Sequence, residues 1–531
     1  MKYVYVCCLI LFACSEQTSA PEFIFTRLGV AIKGTYSDVS VQNHEYSVHQ
    51  IGNHTLLKFI WEAGGAYTFK VEGKTYTHTA PQQSSPALVA KIPIGNVNAE
   101  IKLKRSIDTD IAISADHRFV AIGSYLGTLY VYDLQKNTML WSKTITEGVA
   151  KKVMFSADSK SVLVGEQSMD GTISCFDVVS GEKRWSYAIV KDVEQSAPPR
   201  SDDKYGIYTL PGVFHIEQMN DGFIVSGVHS WIKKGKPQKR SKLYYFKNDG
   251  TLKWSFPNKK ALGGTILYFD ATSKFITFNM DEIQQEYKVS SPVKEQSVVL
   301  LDTETGQLLD QKTIKPLPPY FPSVYFWQSV SISGDNSFVN MGAYDGRGFI
   351  FPINGNRFGT EKTLVLGQPV IVNNIPITAG IPYTSSVNSH AIYSVVQTSV
   401  PYAYASANNI SEPPSLHPAA GTLFFYDKDG NIVWKFNNGL IHSAVHSSKS
   451  GEWLIATLDN KKENRDEHQF GMSVFRYSSE YSYQYTYNTE GFAYFRGALS
   501  ADGMVMGITE TPFVGKDNET MIGTYQVHIV L

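Results

Sequence analysis

The stretch from Phe155 to Trp185, FSADSKSVLVGEQSMDGTISCFDVVSGEKRW, constrains this chain more than any other. It reads as short strands joined by tight turns. Ser156-Ala157-Asp158-Ser159 is a polar turn, Ser161-Val162-Leu163-Val164-Gly165 is an apolar strand, and Gly171 to Asp177 alternates through Ile173 and Cys175. Ser180-Gly181 makes a tight turn, and Lys183-Arg184-Trp185 opens the next strand. Three strands with one apolar face cannot bury that face alone. The unit must stack on others like it.

Copies are present. Ser114-Ala115-Asp116 opens the preceding one, Phe119 to Gly123 is its apolar strand, Gly127 to Asp133 is the next strand, and Trp141 closes it. The Asp133-to-Trp141 spacing equals that of Asp177 to Trp185. The two tryptophans lie one period apart, within the roughly 40–45 residues of a propeller blade. Lys242 to Trp254 and Thr422 to Trp434 share a shorter turn, and Val298 to Asp310 keeps the Asp-x-x-Thr-Gly turn with Asp310 where Trp would fall. Ser333-Gly334-Asp335, Ser447-Ser448-Lys449 and Ser500-Ala501-Asp502 open apolar strands in the same way. Eight units are expected, starting near 111, 150, 212, 264, 327, 370, 440 and 494.

Asp177 to Trp185 fits Asp-x-x-[Ser/Thr]-Gly-x-x-x-Trp and resembles the repeat of quinoprotein-type (PQQ-like) β-propellers. The Ser-Ala-Asp openers resemble those of WD40-like and YVTN-like propellers. The resemblance covers roughly residues 100–531 and implies a fold rather than a function, because propellers host enzymes, scaffolds and binding modules alike. The implied fold class is all-β: an eight-bladed β-propeller, with seven blades as the alternative, over residues 88–531. The last unit ends at GTYQVHIVL, its third strand, so its outer strand is expected from Leu88 to Leu103, which closes the ring.

The N-terminal region reads differently. Lys2 and the apolar run Tyr3 to Phe12 form a targeting segment too short to span a bilayer. Leu11-Phe12-Ala13-Cys14 resembles a bacterial lipobox, which implies a leader over 1–14 and lipidation of Cys14. Ser15, rather than Asp, follows Cys14, and in enteric-type sorting that pattern implies the outer membrane. The expected location is therefore the cell envelope, lipid-anchored. Residues 15–21 read as a tether and 81–87, with Pro81 and Pro86, as a linker. Between them, 22–80 alternates as short strands, and AYTFKVEGKTYTHTA resembles the hairpin of bacterial immunoglobulin-like domains, which implies a small β-sandwich.

Of four cysteines, Cys7, Cys8 and Cys14 lie in the leader. Cys175 is left alone in an apolar strand and reads as a core residue. With 48 basic and 49 acidic residues the chain lacks the charge excess of a dedicated nucleic-acid binder, and no nucleic-acid partner is expected.

Long insertions fall at Trp231 to Lys242, Asp281 to Gln296, Gln397 to Ala420, Asn460 to His468 and Thr511 to Met521. Propeller geometry implies that all five emerge between the second and third strands of a unit, on one face. Loops on a rigid scaffold commonly carry binding. The first insertion is basic, with Lys233, Lys234, Lys236, Lys239, Arg240 and Lys242 and no acid, and is a candidate surface for an anionic partner. Tyr320 and Phe321 in a proline-stiffened connection, and Tyr402 and Tyr404 in the third insertion, are candidate peptide anchors.

Catalytic patterns are sparse. Asp427-Lys428-Asp429-Gly430-Asn431 lacks the distal Glu of a calcium loop and reads as a hairpin turn. His442 and His446 have no accompanying ligands in the sequence. The reading is a non-catalytic envelope lipoprotein that binds or scaffolds a protein partner, with no cofactor, no catalytic residue and no metal site. The alternative implied by the resemblance is a quinone- or calcium-dependent oxidoreductase.

Overall fold

The computed structural model describes residues 20–94, 108–194, 210–233, 236–281, 296–315, 329–460, 469–493, 497–514 and 521–531, apart from 344, 388, 401–404, 406 and 411. Seven strands come first: β1 (Phe23–Thr26), β2 (Gly29–Lys33), β3 (Val39–Val41), β4 (Ser47–Ile51), β5 (His54–Lys58), β6 (Ala66–Val71) and β7 (Lys74–Thr79). They form two sheets in the orders β1-β2-β5-β4 and β3-β6-β7. Phe25, Val30, Ile32, Leu57, Phe59, Tyr67 and Phe69 pack between them. Strand β8 (Leu88–Pro93) follows.

Unit one comprises Asp108–Ile113, Phe119–Ser124, Thr128–Asp133 and Thr138–Thr144, paired antiparallel in sequence order. We call these strands a to d. Among the described residues further units repeat the scheme, with a-strands Val149–Phe155, Gly212–Gln218, Phe269–Ala271, Val330–Ile332, Tyr383–Val387, His442–Ser447 and Gly497–Leu499. Each a-strand touches that of the next unit, and the last touches the first. The chain is a β-propeller that carries a β-sandwich. Strand d of the last unit is β8, paired with Gln526–Val530 through Val527↔Ile92 and Ile529↔Ala90, the closure expected from the missing outer strand.

Burial explains the sequence pattern. Strand b of unit two, Ser161–Gln167, is buried at every residue, whereas its d-strand Lys183–Ala188 is exposed or half-buried throughout. Inner strands are covered on both faces by neighbouring units and so read as apolar runs.

Two recurrent turns hold the units. At the a–b turn, Ser156 Oγ donates to Asp158 Oδ1 (2.6 Å) and accepts from Ser161 N (2.9 Å). Ser114 with Asp116 and Ser500 with Asp502 repeat this geometry. The third residue after the Ser is left-handed in five units: His117, Ser159, Asn336, Gly451 and Gly503.

The c–d turn receives the tryptophan of the preceding unit. Trp141, Trp185 and Trp254 each donate Nε1–H to a turn carbonyl, of Val178 (2.8 Å), Asn248 (3.0 Å) and Thr303 (3.0 Å). The turn glycine lies under the indole: a Cβ on Gly306 would stand 2.6 Å from Trp254 Cδ2. This is the physical content of the Asp-x-x-[Ser/Thr]-Gly-x-x-x-Trp pattern. Where Asp310 replaces Trp, its Oδ2 accepts Phe358 N (2.8 Å) from the next unit instead.

Unit six departs from expectation. It begins at Tyr383, not near 370. Val370–Val372 and Ile375–Gly380 form a separate hairpin that pairs with Gln397–Ser399. Asn373 and Asn374 both have positive φ, the turn chemistry of a two-residue hairpin. The alternating apolar residues there belong to an insertion rather than to an a-strand.

Candidate functional site

The five long insertions named from the sequence join strand b to strand c, whereas the 370–380 hairpin joins unit five to unit six. The described parts show this for unit three, where the strands are Gly222–Lys233 and Lys236–Lys247. They show it for unit six, between His390–Ser394 and Leu423–Asp427, and for unit eight, where Phe513–Val514 pairs Met521–Ile522. The sandwich sits at the other end. It contacts the a–b turn at Gly503 and Met504 through Arg27, and Gly52 lies against Leu134, just past strand c of unit one. The propeller therefore has one face carrying insertions and one face carrying the sandwich.

The basic segment is not a loop. Its residues extend strands b and c into a long hairpin, with Lys233 opposite Lys236, Ser230 opposite Lys239 and His229 opposite Arg240. Its acids come from elsewhere. A short helix α1 (Val190–Val193) lies at its base, where Asp192 accepts from Tyr187 (2.8 Å), Tyr244 (3.0 Å) and Lys242 Nζ (3.3 Å). Lys242 is buried, and Arg240 Nε lies 3.8 Å from Glu194 Oε1. Lys239 and Arg240 are half-buried. Hence Arg240 and Lys242 have partners within the fold. Lys234, Tyr320, Phe321, Tyr402, Tyr404 and Cys14 lie outside the described residues, as do the side chains of Lys233 and Lys236.

The a-strands of these units enclose an axial cavity of about 1240 Å³ that reaches the a–b turns. Each a-strand is the free edge of its sheet, so its backbone groups need polar partners. Side chains of neighbouring units supply some. Asp110 accepts from Val153 N (3.0 Å) and Lys152 Nζ (3.0 Å), and Asp270 accepts from Ile332 N (2.8 Å) and Ser331 Oγ (2.8 Å). Glu217 pairs with His215 at 2.8 Å. Burial, with the nearby Glu217 charge, pushes the Asp270 carboxyl up to about 6. Glu217 is held low despite burial, because His215 hydrogen-bonds its carboxylate. At the mouth, Lys449 Nζ reaches from unit seven to the Gln218 carbonyl of unit three (3.2 Å), the opposite side of the ring.

This arrangement can seat polar groups. Among the described residues no three His, Cys, Asp or Glu side chains group as metal ligands. Sequence reasoning missed His215, Glu217, Asp270 and Lys449 as a group, because they come from three different units and share no fixed spacing.

The remaining sequence candidates are structural. Asp427 Oδ1 accepts from Asp429 N (2.8 Å) and Asn431 N (2.9 Å), which closes a hairpin turn. His442 is buried between the Gly421 carbonyl and Ser473 Oγ (both 3.1 Å), and burial lowers its pKa to about 4. Cys175 is fully buried in strand c of unit two.

No family model matches the chain, and no curated protein matches it. Solved structures match at low identity. BamB from Moraxella catarrhalis aligns at 10% identity and a TM-score of 0.39, over 80% of this chain and 96% of that one. The C-terminal WD40 domain of Sif2 aligns at 10% identity and 0.48, over 84% and 98%, and the Dos1 propeller at 10% and 0.47, over 80% and 92%. Among the described residues no helix is long and apolar enough to cross a membrane.

Proposed function

We propose that this chain is a non-catalytic, lipid-anchored protein of the cell envelope whose eight-bladed propeller binds a protein partner through its insertion-bearing face. One observation carries the reading: the five long insertions named from the sequence share the b–c position and open on the face opposite the sandwich. A sandwich near the anchor then leaves that face pointing away from the lipid. We read the sandwich as immunoglobulin-like. Its sheet orders β1-β2-β5-β4 and β3-β6-β7 correspond to the ABED and CFG arrangement. At the start of its sixth strand the Tyr67 hydroxyl accepts from Glu62 N at 2.7 Å, in the manner of a tyrosine corner.

Two experiments test this. Cys14→Ala releases the protein from the membrane fraction into the soluble envelope fraction with its thermal stability intact; a variant that stays membrane-bound refutes the anchor. Replacing Lys233, Lys234 and Lys236 by Gln, with Lys239 and Arg240 kept for their strand contacts, weakens capture of the envelope partner, more so at low salt. Unchanged capture removes the basic hairpin tip from the binding face.

A further inference from the structure

We propose that the sandwich is the clasp of the ring: it pins the closing strand β8 to unit eight, so that loosening the sandwich opens the propeller at that seam. This does not depend on the partner-binding reading.

In the sheet β1-β2-β5-β4 the central strands β2 and β5 are buried on both faces. Val30, Ile32 and Leu57 face the sandwich's own core. Ala31, Ile51 and Leu56 instead join a cluster with Val89, Ala90 and Ile92 of β8, Leu134 of unit one, and Trp453, Met504, Val527 and Ile529 of units seven and eight. The core of the ring seam and this face of the sandwich are thus continuous. Gly52, at the β4–β5 turn with φ +58°, lies so close to β8 that a Cβ would stand 2.5 Å from Val89 Cγ1.

The β1–β2 turn drives a charged side chain into the same seam. Arg27 is buried; its Nη2 donates to the Met504 carbonyl at 2.9 Å and also to Gly503, and the guanidinium lies 4.0 Å over the Trp453 ring. A planar cation is suited to meeting two carbonyls and an aromatic face together. The approach to β8 is tied to unit eight as well, since Leu531 N donates to the Ala87 carbonyl at 2.9 Å. As a result β8 is unlike an ordinary outer strand: Val89, Ala90 and Ile92 are buried, whereas the outer strand of unit one has no buried residue.

The test is amide hydrogen exchange on the full chain. In Arg27→Ala/Leu56→Ala the amides of Val527 and Ile529 exchange at least tenfold faster, while those of Val162 and Val164 in unit two keep the parent rate. Arg27→Lys keeps the charge, loses the planar contact and gives a smaller acceleration at the same two amides; it carries the test if the double variant fails to fold. A protease site placed in 82–86 gives a second readout: after cleavage the parent sandwich co-elutes with the propeller and the double variant's does not. Unchanged exchange at Val527 and Ile529 in the variants, or parental exchange there after the sandwich has been released, overturns the proposal.

Discussion

Consider Gly306→Ala in the c–d turn of unit four. Gly306 has φ +68°, and an added Cβ would lie 2.6 Å from both Cδ2 and Cε3 of Trp254. The left-handed backbone costs an L-residue about 1–2 kcal/mol. The overlap costs about 1–3 kcal/mol more, because the indole cannot withdraw without lengthening its 3.0 Å bond to the Thr303 carbonyl. The single change is therefore expected to cost about 3–4 kcal/mol. In a Trp254→Leu background the overlapping atoms are gone and only the backbone cost remains. A double-mutant cycle by urea denaturation should show the pair less destabilised than the sum of the singles, by about 1–3 kcal/mol. Additivity within about 0.5 kcal/mol would mean that the glycine serves the turn alone and not the neighbouring unit's tryptophan.

Acid should destabilise unit eight first. Burial would raise the Glu510 carboxyl, but hydrogen bonds from His528, Thr524 and Gln526 hold it at about 2 against an ordinary 4.5. Its stabilisation is complete above pH 4.5 and lost as pH falls towards 2, so Glu510→Gln should flatten the fall in melting temperature over that window; an unchanged slope refutes this. Asp270 has the opposite sign: with its carboxyl raised to about 6, its charge works against folding above that pH, and Asp270→Asn should raise the melting temperature at pH 7.5 but not at pH 3.5. A stabilisation of about 1 kcal/mol is expected for this half-buried group, and a destabilisation at pH 7.5 would count against the argument. Burial pushes the Cys175 thiol up to about 11, so in a chain with Cys7, Cys8 and Cys14 replaced it should stay inert to a thiol reagent at pH 8 until denaturant is added; a rapid native-state reaction would place it at the surface.

The parts of this fold that were legible in the sequence are those whose chemistry is local. The Ser-x-Asp turn is closed by hydrogen bonds between residues two to five apart, so Ser114, Ser156 and Ser500 announce it directly. The Asp-x-x-[Ser/Thr]-Gly-x-x-x-Trp pattern was readable too, although its purpose, a bond from one unit's tryptophan to the next unit's turn, was not. Closure by a strand within residues 88–103 followed from counting strands in the last unit, and the strand is Leu88–Pro93. The basic segment reads in the sequence as a hairpin tip with no acid of its own; its acids, Asp192 and Glu194, were not legible because they sit on the connection before the unit. Unit six misled because the hairpin at 370–380 carries the same alternation as an a-strand. Arg27 was invisible, since its carbonyl partners lie more than 470 residues away. A signal was available nonetheless: Val30-Ala31-Ile32 and Leu56-Leu57 are consecutive apolar residues in a sandwich strand, which means both faces of that sheet are covered.

Taking the outer strand of the last unit from the start of the chain fixes an order of events. The chain leaves a ribosome, or crosses a membrane, N-terminus first, so β8 is available before any of the units and its partner Gln526–Val530 arrives last. Joining ends separated by more than four hundred residues costs on the order of 5 kcal/mol in a flexible chain, but that span shrinks as each unit stacks on the one before. Until then β8 is a strand without a sheet, carrying Val89, Ala90 and Ile92 exposed to any other unpaired edge. The sandwich is made only of earlier residues and can fold first. Its Ala31, Ile51 and Leu56 then offer those three side chains an apolar surface while the rest of the ring is still being laid down.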